Sequence, residues 1–384
     1  MPHSLRIALV FSYGLAYCRG ILRGIRDYAR TRPNWIFTAI DPESATPRFL
    51  RSVAPAGVIA HIYNDALARM LTKLGKPLVN VCGVLPDLAV PRVGLDDGAI
   101  GAAAAQHLLD RGLRHFAFVG HPHHAYSARR EDCFRSTLSA GGFDVRVYHD
   151  ANSPFDPRGR LWALDDRVRR WLVALPRPVG VFTCNDLWGV QICELCRQAG
   201  LRVPEDVAIL GVDNDDLLCD LARPSLSSVT VPAAAVGHGA AALLDRLLRR
   251  GKPPKHPLLL PPTGVATRQS SDILAIQDPD VAAAVRVIRD HAHEPLRTRD
   301  VLDAATVSRR SLERRFRKAL GRGIGEEIRR CHVERARTLL AATDLPMPEV
   351  ARLSGFGDAK HLSVVFRRET GSPPTAYRRT TRAL

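Results

Sequence analysis

The sequence predicts an α/β sensor of two lobes built on parallel sheets, followed by an all-α domain that carries two helix-turn-helix units. Three observations lead there. From residue 5 to about 270, short apolar and β-branched runs alternate with longer amphipathic stretches, the pattern of parallel strands covered by helices. That series holds too many units for one compact sheet, so two lobes with a cleft between them is the economical arrangement. The last hundred residues then repeat a different unit twice: a short apolar-patterned helix, a tight turn and a longer basic helix. A helix held in this way fits the major groove of DNA.

Strands are expected at 6–11, 57–60, 78–81, 93–95, 116–120, 180–183 and 207–211. Their near-continuous apolar character suits sheets buried on both faces. Helices are expected between them, at 18–30, 98–111, 130–140 and 187–199. Ligands of such sheets bind beyond the carboxyl ends of the strands, and here those ends are polar. Tyr13 and Tyr17 follow the first strand, Asp96 and Asp97 the 93–95 strand, and Arg130 the His-rich loop after Gly120. Asn185 and Asp186, then Asp213 and Asn214, follow the next two. A sugar hydroxyl both donates and accepts, so carboxylates, amides and a guanidinium satisfy it, and a ring's apolar face rests on tyrosine. The candidate effector contacts are Tyr13, Tyr17, Asp96, Arg130, Asn185, Asp186, Asp213 and Asn214. Asp and Asn also cap helices, so several of these are expected to serve as caps.

The chain of 384 residues has a formal net charge of +16, a balance that attracts polyanions. From residue 279 onward there are about 22 Lys/Arg against about 13 Asp/Glu, so the excess gathers where the helix-turn-helix units lie. No run of about 18 apolar residues could span a bilayer, and the N-terminus leads directly into a strand rather than a signal peptide. The expected location is the bacterial cytoplasm, with the protein on the nucleoid. Eight cysteines form no framework. Cys193 and Cys196 make a lone CxxC inside a helical stretch with no second half to complete a zinc set. The cluster at His121, His123 and His124 reads as a loop after a strand. No metal, cofactor or catalytic residue is expected.

The first unit spans 298–320. Leu312, Phe316 and Leu320 recur every four residues on one helix face, expected to bury against Val301, Leu302 and Ala305. The opposite face carries Arg309, Arg310, Glu313, Arg314 and Arg317. In the second unit, 347–369, Leu362 and Phe366 face inward, which leaves Asp358, Lys360, His361 and Ser363 for the groove. Residues 326–340 between the units are helix-spaced with no proline. They are expected to form a rigid connector that fixes the phase of the two readers near the roughly 34 Å groove repeat.

Two resemblances make this specific. The segments Asn185-Asp186, 200–213 (GLRVPEDVAILGVD) and 224–229 (PSLSSV), with 112–120 (GLRHFAFVG), resemble the LacI/periplasmic-binding-protein family of sensors over about residues 5–272. That resemblance implies Rossmann-like lobes closing on a small sugar or nucleobase, with Arg130, Asp186 and Asp213 on ligand-contacting positions. No counterpart of that family's N-terminal DNA-binding headpiece is expected, since the sequence opens on the first sensor strand. Ala351, Gly355-Phe356, Phe366 and the exit 371–378 (GSPPTAYR) resemble the AraC family over about 280–382. By that resemblance Arg310, Glu313 and Arg314 face base edges, while Arg309 and Arg317 touch phosphates. Ala359 and Val364 stand where the family is often polar, so readout there is weak or runs through thymine methyls. The expected domains are a sensor at 1–274 and a reader at 279–384. The order of the two, the join at 278–291 and Tyr17 before a helix resemble bacterial regulators of pentose catabolism, which implies a pentose effector such as D-xylose.

The expectation is therefore a sugar-controlled, sequence-specific transcription factor with operator DNA and a small sugar as partners. It is expected to be an activator that engages RNA polymerase and to be a homodimer. The alternatives are a repressor with a non-pentose effector, a sugar-acting enzyme, and a non-specific architectural DNA binder. Gly321-Arg-Gly-Ile-Gly325 follows a helix rather than a strand, so it is no dinucleotide loop. No P-loop, nucleophile elbow or HExxH occurs. A merely architectural binder would leave two thirds of the chain without a purpose.

Overall fold

The computed structural model describes residues 4–149, 166–273, 275–276, 278–303 and 305–382. The expected sensor boundary at residue 274 and the outermost residues of both expected domains lie outside these. The first lobe is formed by β1 (Leu5–Val10), α1 (Ala16–Ala29), β2 (Trp35–Ile40), α2 (Pro47–Val53), β3 (Gly57–Ala60), α3 (Asp65–Thr72), β4 (Leu78–Asn80) and β5 (Val93–Leu95). Its sheet runs β2-β1-β3-β4, all parallel, and a parallel bridge between Asn80 and Arg92 links it to β5.

The protein then crosses to the second lobe. There it forms α4 (Asp97–Leu109), β6 (His115–Gly120), α5 (Ala125–Ser139), β7 (Val145–His149), α6 (Asp166–Ala174), β8 (Val179–Thr183), α7 (Asp186–Gln198), β9 (Val207–Val212), α8 (Asp216–Leu221) and β10 (Ser227–Thr230). It returns to the first lobe for α9 (Ala233–Leu248), which packs along α1, and for β11 (Leu258–Leu260), which pairs with β5. A third crossing reaches β12 (Gly264–Ala266), antiparallel to β10 at the edge of the sheet β12-β10-β9-β8-β6-β7. Three crossings make a hinge, and the predicted cleft lies beyond the strand ends that face it.

The strands expected from apolar runs are present within one or two residues. β3, β8 and β9 are buried along their whole length, as sheets covered on both sides require. Phe118 and Phe134 pack tilted against Phe182 in the second lobe, with ring centroids 5.5 and 5.0 Å away. Helix α5 begins five residues before the expected residue 130. Helices α4 and α5 approach so closely that a Cβ at Gly101 would lie 2.2 Å from the carbonyl oxygen of Arg130.

The reader consists of α10 (Pro279–Asp290), α11 (Thr298–Leu302), α12 (Arg309–Leu320), α13 (Ile324–Ala342), α14 (Met347–Leu353), α15 (Ala359–Thr370) and α16 (Pro374–Arg382). Asp278 caps α10 ahead of Pro279. Both α12 and α15 end on a left-handed glycine, Gly321 (φ 72°) and Gly371 (φ 77°), whose N–H donates to a carbonyl of the last turn. Leu312 and Phe316 bury with Val301 as expected, against α10 as well. Helix α13 enters two cores: Ile324 and Ile328 pack with the first unit, Val333, Ala336 and Leu340 with the second.

Candidate effector cavity and DNA-reading helices

Between the lobes lies a cavity of about 270 Å³, near the lower end of the roughly 300–1,000 Å³ usual for small-molecule sites. The first lobe contributes Tyr17, His61, Cys82 and Arg92. The second contributes Asp97, Tyr126, Arg130, Asn185, Asp186 and Asp213. Most of these groups sit just past a strand end or in a first helical turn, where side chains project into the cleft; Arg92 precedes β5 and Arg130 lies in the second turn of α5. Arg130 is the centre. Its Nε and Nη2 donate to Asp97 Oδ1 at 2.9 Å, and Nη1 donates to the Cys184 carbonyl at 2.5 Å. Its guanidinium lies 4.9 Å from the Tyr126 ring centroid, within cation–π range.

Three buried carboxylates share the cavity: Asp97 and Asp213 act on Arg130 directly, and Asp186 faces Asp213. Asp186 is anchored, accepting from Ser228 Oγ at 2.6 Å and from the Asp215 N–H at 2.8 Å. Burial, together with the charge of Asp213, holds its carboxyl well above the ordinary range. Burial also raises Asp97, against the pull of Arg130. Asp213 is pushed up to about 6 by burial, with Arg130 holding it down and Asp97 and Asp215 adding to the rise. Its φ of 107° and the φ of 52° at Asn214 lie in the left-handed region that side chains rarely adopt. The turn is held by Asp213 N–H to the Val229 carbonyl (3.1 Å) and Asn214 N–H to Ser228 Oγ (2.9 Å). Burial lowers His61 to about 4, so at neutral pH it is an uncharged imidazole. Tyr17 donates its hydroxyl to the Val81 carbonyl at 3.0 Å. Arg19 on α1 reaches Asp215 across the cleft at 3.8 Å. Hydroxyl acceptors, a guanidinium, an imidazole and two tyrosine rings together suit an uncharged polyol.

Five of the eight expected effector residues, Tyr17, Arg130, Asn185, Asp186 and Asp213, line this cavity. Three expectations are corrected by position. Tyr13 lies outside it, with its hydroxyl donating to the Leu9 carbonyl at 3.4 Å. Asp96 is the N-cap of α4, accepting from the Ala99 N–H at 3.0 Å, and its neighbour Asp97 turns to the cleft instead. Asn214 points the other way, its Oδ1 accepting from Arg268 at 2.9 Å. Asn185 both lines the cavity and caps α7 through the Trp188 N–H. His61, Cys82, Arg92 and Tyr126 were not anticipated. His61 was within reach of the strand-end rule, because it directly follows β3.

On the reader, α12 exposes Arg309, Arg310, Arg314 and Arg317. Arg309 Nε donates to Glu313 at 2.9 Å, so this pair is preorganised along the helix face. On α15, Lys360, His361, Ser363 and Val364 are exposed. Asp358 is exposed too, but its carboxylate caps α15 through the His361 N–H at 2.7 Å, which fixes the helix start rather than offering a reader. The 19-residue α13 spans about 28 Å at 1.5 Å per residue.

Comparison with known proteins adds independent findings. A periplasmic binding protein-like domain matches residues 105–271 and a helix-turn-helix domain matches residues 301–380. The xylose operon regulatory protein of Escherichia coli (strain K12) is 31% identical over 382 residues, 97% of this chain and 96% of the relative. That of Haemophilus influenzae is 28% identical over 97% of this chain and 98% of its own. The solved structure of xylose-binding transcription activator xylR is 29% identical, covers 98% of both chains and superimposes with a TM-score of 0.62.

Proposed function

Because the chain belongs to the family of xylose operon regulatory proteins, AraC-type regulators with a LacI-like sensor, we propose that its effector is a pentose, with D-xylose the leading candidate. At the coarser level the chain is a sugar-responsive, DNA-binding transcription regulator and not an enzyme. The observation that carries the pentose reading is the small cleft centred on Arg130, apolar over most of its wall with a few convergent polar groups. Its volume fits a single sugar ring, and its carboxylates alternate with a guanidinium and a neutral imidazole. Asp213 offers a carboxylate in a strained turn, the kind of preorganisation that stored backbone strain serves at ligand sites. The relatives' names support the same choice.

In this reading sugar bridges Tyr17, His61 and Arg92 of the first lobe to Asp97, Arg130 and Asp213 of the second and closes the cleft. The protein acts as a homodimer in the bacterial cytoplasm, each α12–α15 pair occupying one operator half-site. It activates by presenting the bound reader to RNA polymerase. Arg310, Glu313 and Arg314 read base edges. Arg309 and Arg317 hold phosphates, and Lys360, His361 and Ser363 read the adjacent groove segment. Calorimetry of the full-length protein against D-xylose, L-arabinose, D-ribose and D-glucose tests the effector. D-Xylose binding in the micromolar range with at least tenfold preference over D-glucose is expected. Binding of D-glucose as tightly as D-xylose would overturn the pentose assignment.

A further inference from the structure

The sensor and the reader meet at a buried cluster of charges. Asp110, the residue that closes α4, is 4% exposed, and Glu327 on α13 is fully buried. Two guanidiniums bridge these two carboxylates. Arg322 donates from Nη2 to Asp110 at 2.6 Å and from Nε to Glu327 at 2.5 Å. Arg330 pairs through Nη1 with Asp110, and through Nη2 with Glu327 at 2.8 Å. A third arginine, Arg289 on α10, donates to the Asp110 carbonyl at 2.6 Å. Burial alone would raise Glu327, but Arg330 and Arg322 outweigh it and hold the carboxyl at about 2. Glu327 is therefore ionised, and Arg330 grips it bidentately through Nε at 3.0 Å and Nη2, while Arg322 bridges it to Asp110, a geometry that specifies orientation as well as contact.

Four residues on, Arg114 donates to the carbonyls of Lys318 and Ala319 at 3.1 and 2.8 Å. These are orphan carbonyls at the negative end of α12, so a sensor cation caps the first DNA-reading helix. The segment 110–114 thus grips α10, α12 and α13 at once. The Ala275 N–H donates to the Arg111 carbonyl at 2.7 Å, and β12 lies beside α13, where a Cβ at Gly264 would sit 3.3 Å from Glu334. All of these sensor groups belong to the second lobe or its exit.

The same helix that ends at this cluster begins in the cavity. Asp97 in the first turn of α4 holds Arg130, and Asp110 at its end holds Arg322 and Arg330. Thirteen residues of helix span about 20 Å. Ile100, Ala104, Ala105 and Leu108 are fully buried, so α4 moves only with its surroundings. We propose that the Asp110–Arg322–Glu327–Arg330 cluster is the coupling joint of the molecule, fastening the reader to the second lobe through α4 so that effector occupancy is transmitted to DNA. Asp110 is a positioning residue: it touches neither sugar nor DNA. An apolar interface would glue the domains but allow them to slide, whereas forked guanidiniums between two acids fix one orientation.

This joint rests on the sugar-responsive reading above, and the test separates the two. The full-length wild-type protein, Asp110→Asn, Arg322→Met and Arg114→Gln are each titrated with D-xylose and with a duplex that the wild-type protein selects from a random pool. Duplex affinity is measured with and without D-xylose, and hydrogen exchange is followed in α4, α12 and α13. In the wild-type protein, D-xylose shifts duplex affinity roughly tenfold or more, within the about 5–150-fold usual for coupled sites. Asp110→Asn and Arg322→Met keep D-xylose affinity within about twofold but lose most of that shift, and amides of α12 and of the last turn of α4 exchange at least about tenfold faster. Arg114→Gln, which leaves no buried charge unpaired, shows the milder form. Variants that bind D-xylose normally and retain the full shift overturn the joint. If the wild-type protein shows no shift at all, the effector reading falls instead, and the exchange rates alone judge the joint: unchanged rates in both cluster variants overturn it.

Discussion

Asp213 is the residue on which affinity and stability pull in opposite directions. Its folded value of about 6 lies above the ordinary 3.8, so between about pH 4 and 6 the folded protein holds more protons than the unfolded one. Stability then falls as pH rises through that window, and at neutral pH the buried carboxylate is a burden. Asn tolerates left-handed backbone better than most residues, so Asp213→Asn keeps the turn. Without sugar, its melting temperature should rise by about 2–4 °C at pH 7.5 and by nothing near pH 4, as read by calorimetry. Sugar affinity should drop about tenfold or more, the worth of a hydrogen bond to a charged group. Wild-type sugar affinity should weaken as pH falls from 7 to 5, and the variant's should stay flat. Arg130, Asp97 and Asp186 face the same carboxylate; a variant profile as steep as the wild type's would assign the titration to Asp97 or Asp186. The strand-end rule found Asp213, Arg130 and Asp186 because those positions follow long apolar strands. It could not separate Asp96 from Asp97, since capping and ligand binding call for the same side-chain chemistry. Tyr126 escaped it because α5 starts with no side-chain cap to mark its first turn.

Among the elements, the apolar strands were legible because a parallel sheet covered on both faces leaves a continuous hydrophobic run. β10 was not read as a strand. It opens Ser227-Ser228, both fully buried, and their hydroxyls are satisfied only by the fold: Ser227 donates to the Arg268 carbonyl and Ser228 to Asp186. Such a strand looks like a turn until its partners are in place. The reader was more legible because its helices carry periodic apolar stripes and glycine exits. Its α13 is longer than the expected 326–340 connector and belongs to both cores, which makes it the spacer between α12 and α15. Arg335→Pro would remove an i→i−4 hydrogen bond and kink this rod at a cost of about 3 kcal/mol or more. Specific DNA binding should disappear from footprints while calorimetric sugar binding persists. A wild-type footprint from this variant would refute the spacer. On α12 itself, Arg310→Ala should lose about 1–3 kcal/mol and relax specificity at one base pair. Arg317→Ala should weaken all sequences alike and reduce the salt slope by about 1. Equal loss of specificity in both would reassign Arg317 to base readout.

At the scale of the whole molecule, a hinged sensor and a two-helix reader share one polypeptide, and the contacts around Asp110 fasten the reader to the second lobe. On the proposed reading, closing the cleft would carry the first lobe past a body made of the second lobe and the reader. In the proposed dimer, that motion would reset the spacing of the two readers. The net charge of +16 supplies attraction for any DNA and strong salt dependence, but no dependence on sugar; that must come from the cleft. The coupling is a free energy shared by two sites, so it has to appear equally from either side. The direct measurement is a pair of titrations at one salt concentration: duplex affinity with and without saturating D-xylose, and D-xylose affinity with and without saturating duplex. The same factor of about ten or more in both is the predicted result; two unchanged affinities, with both ligands bound, would contradict it.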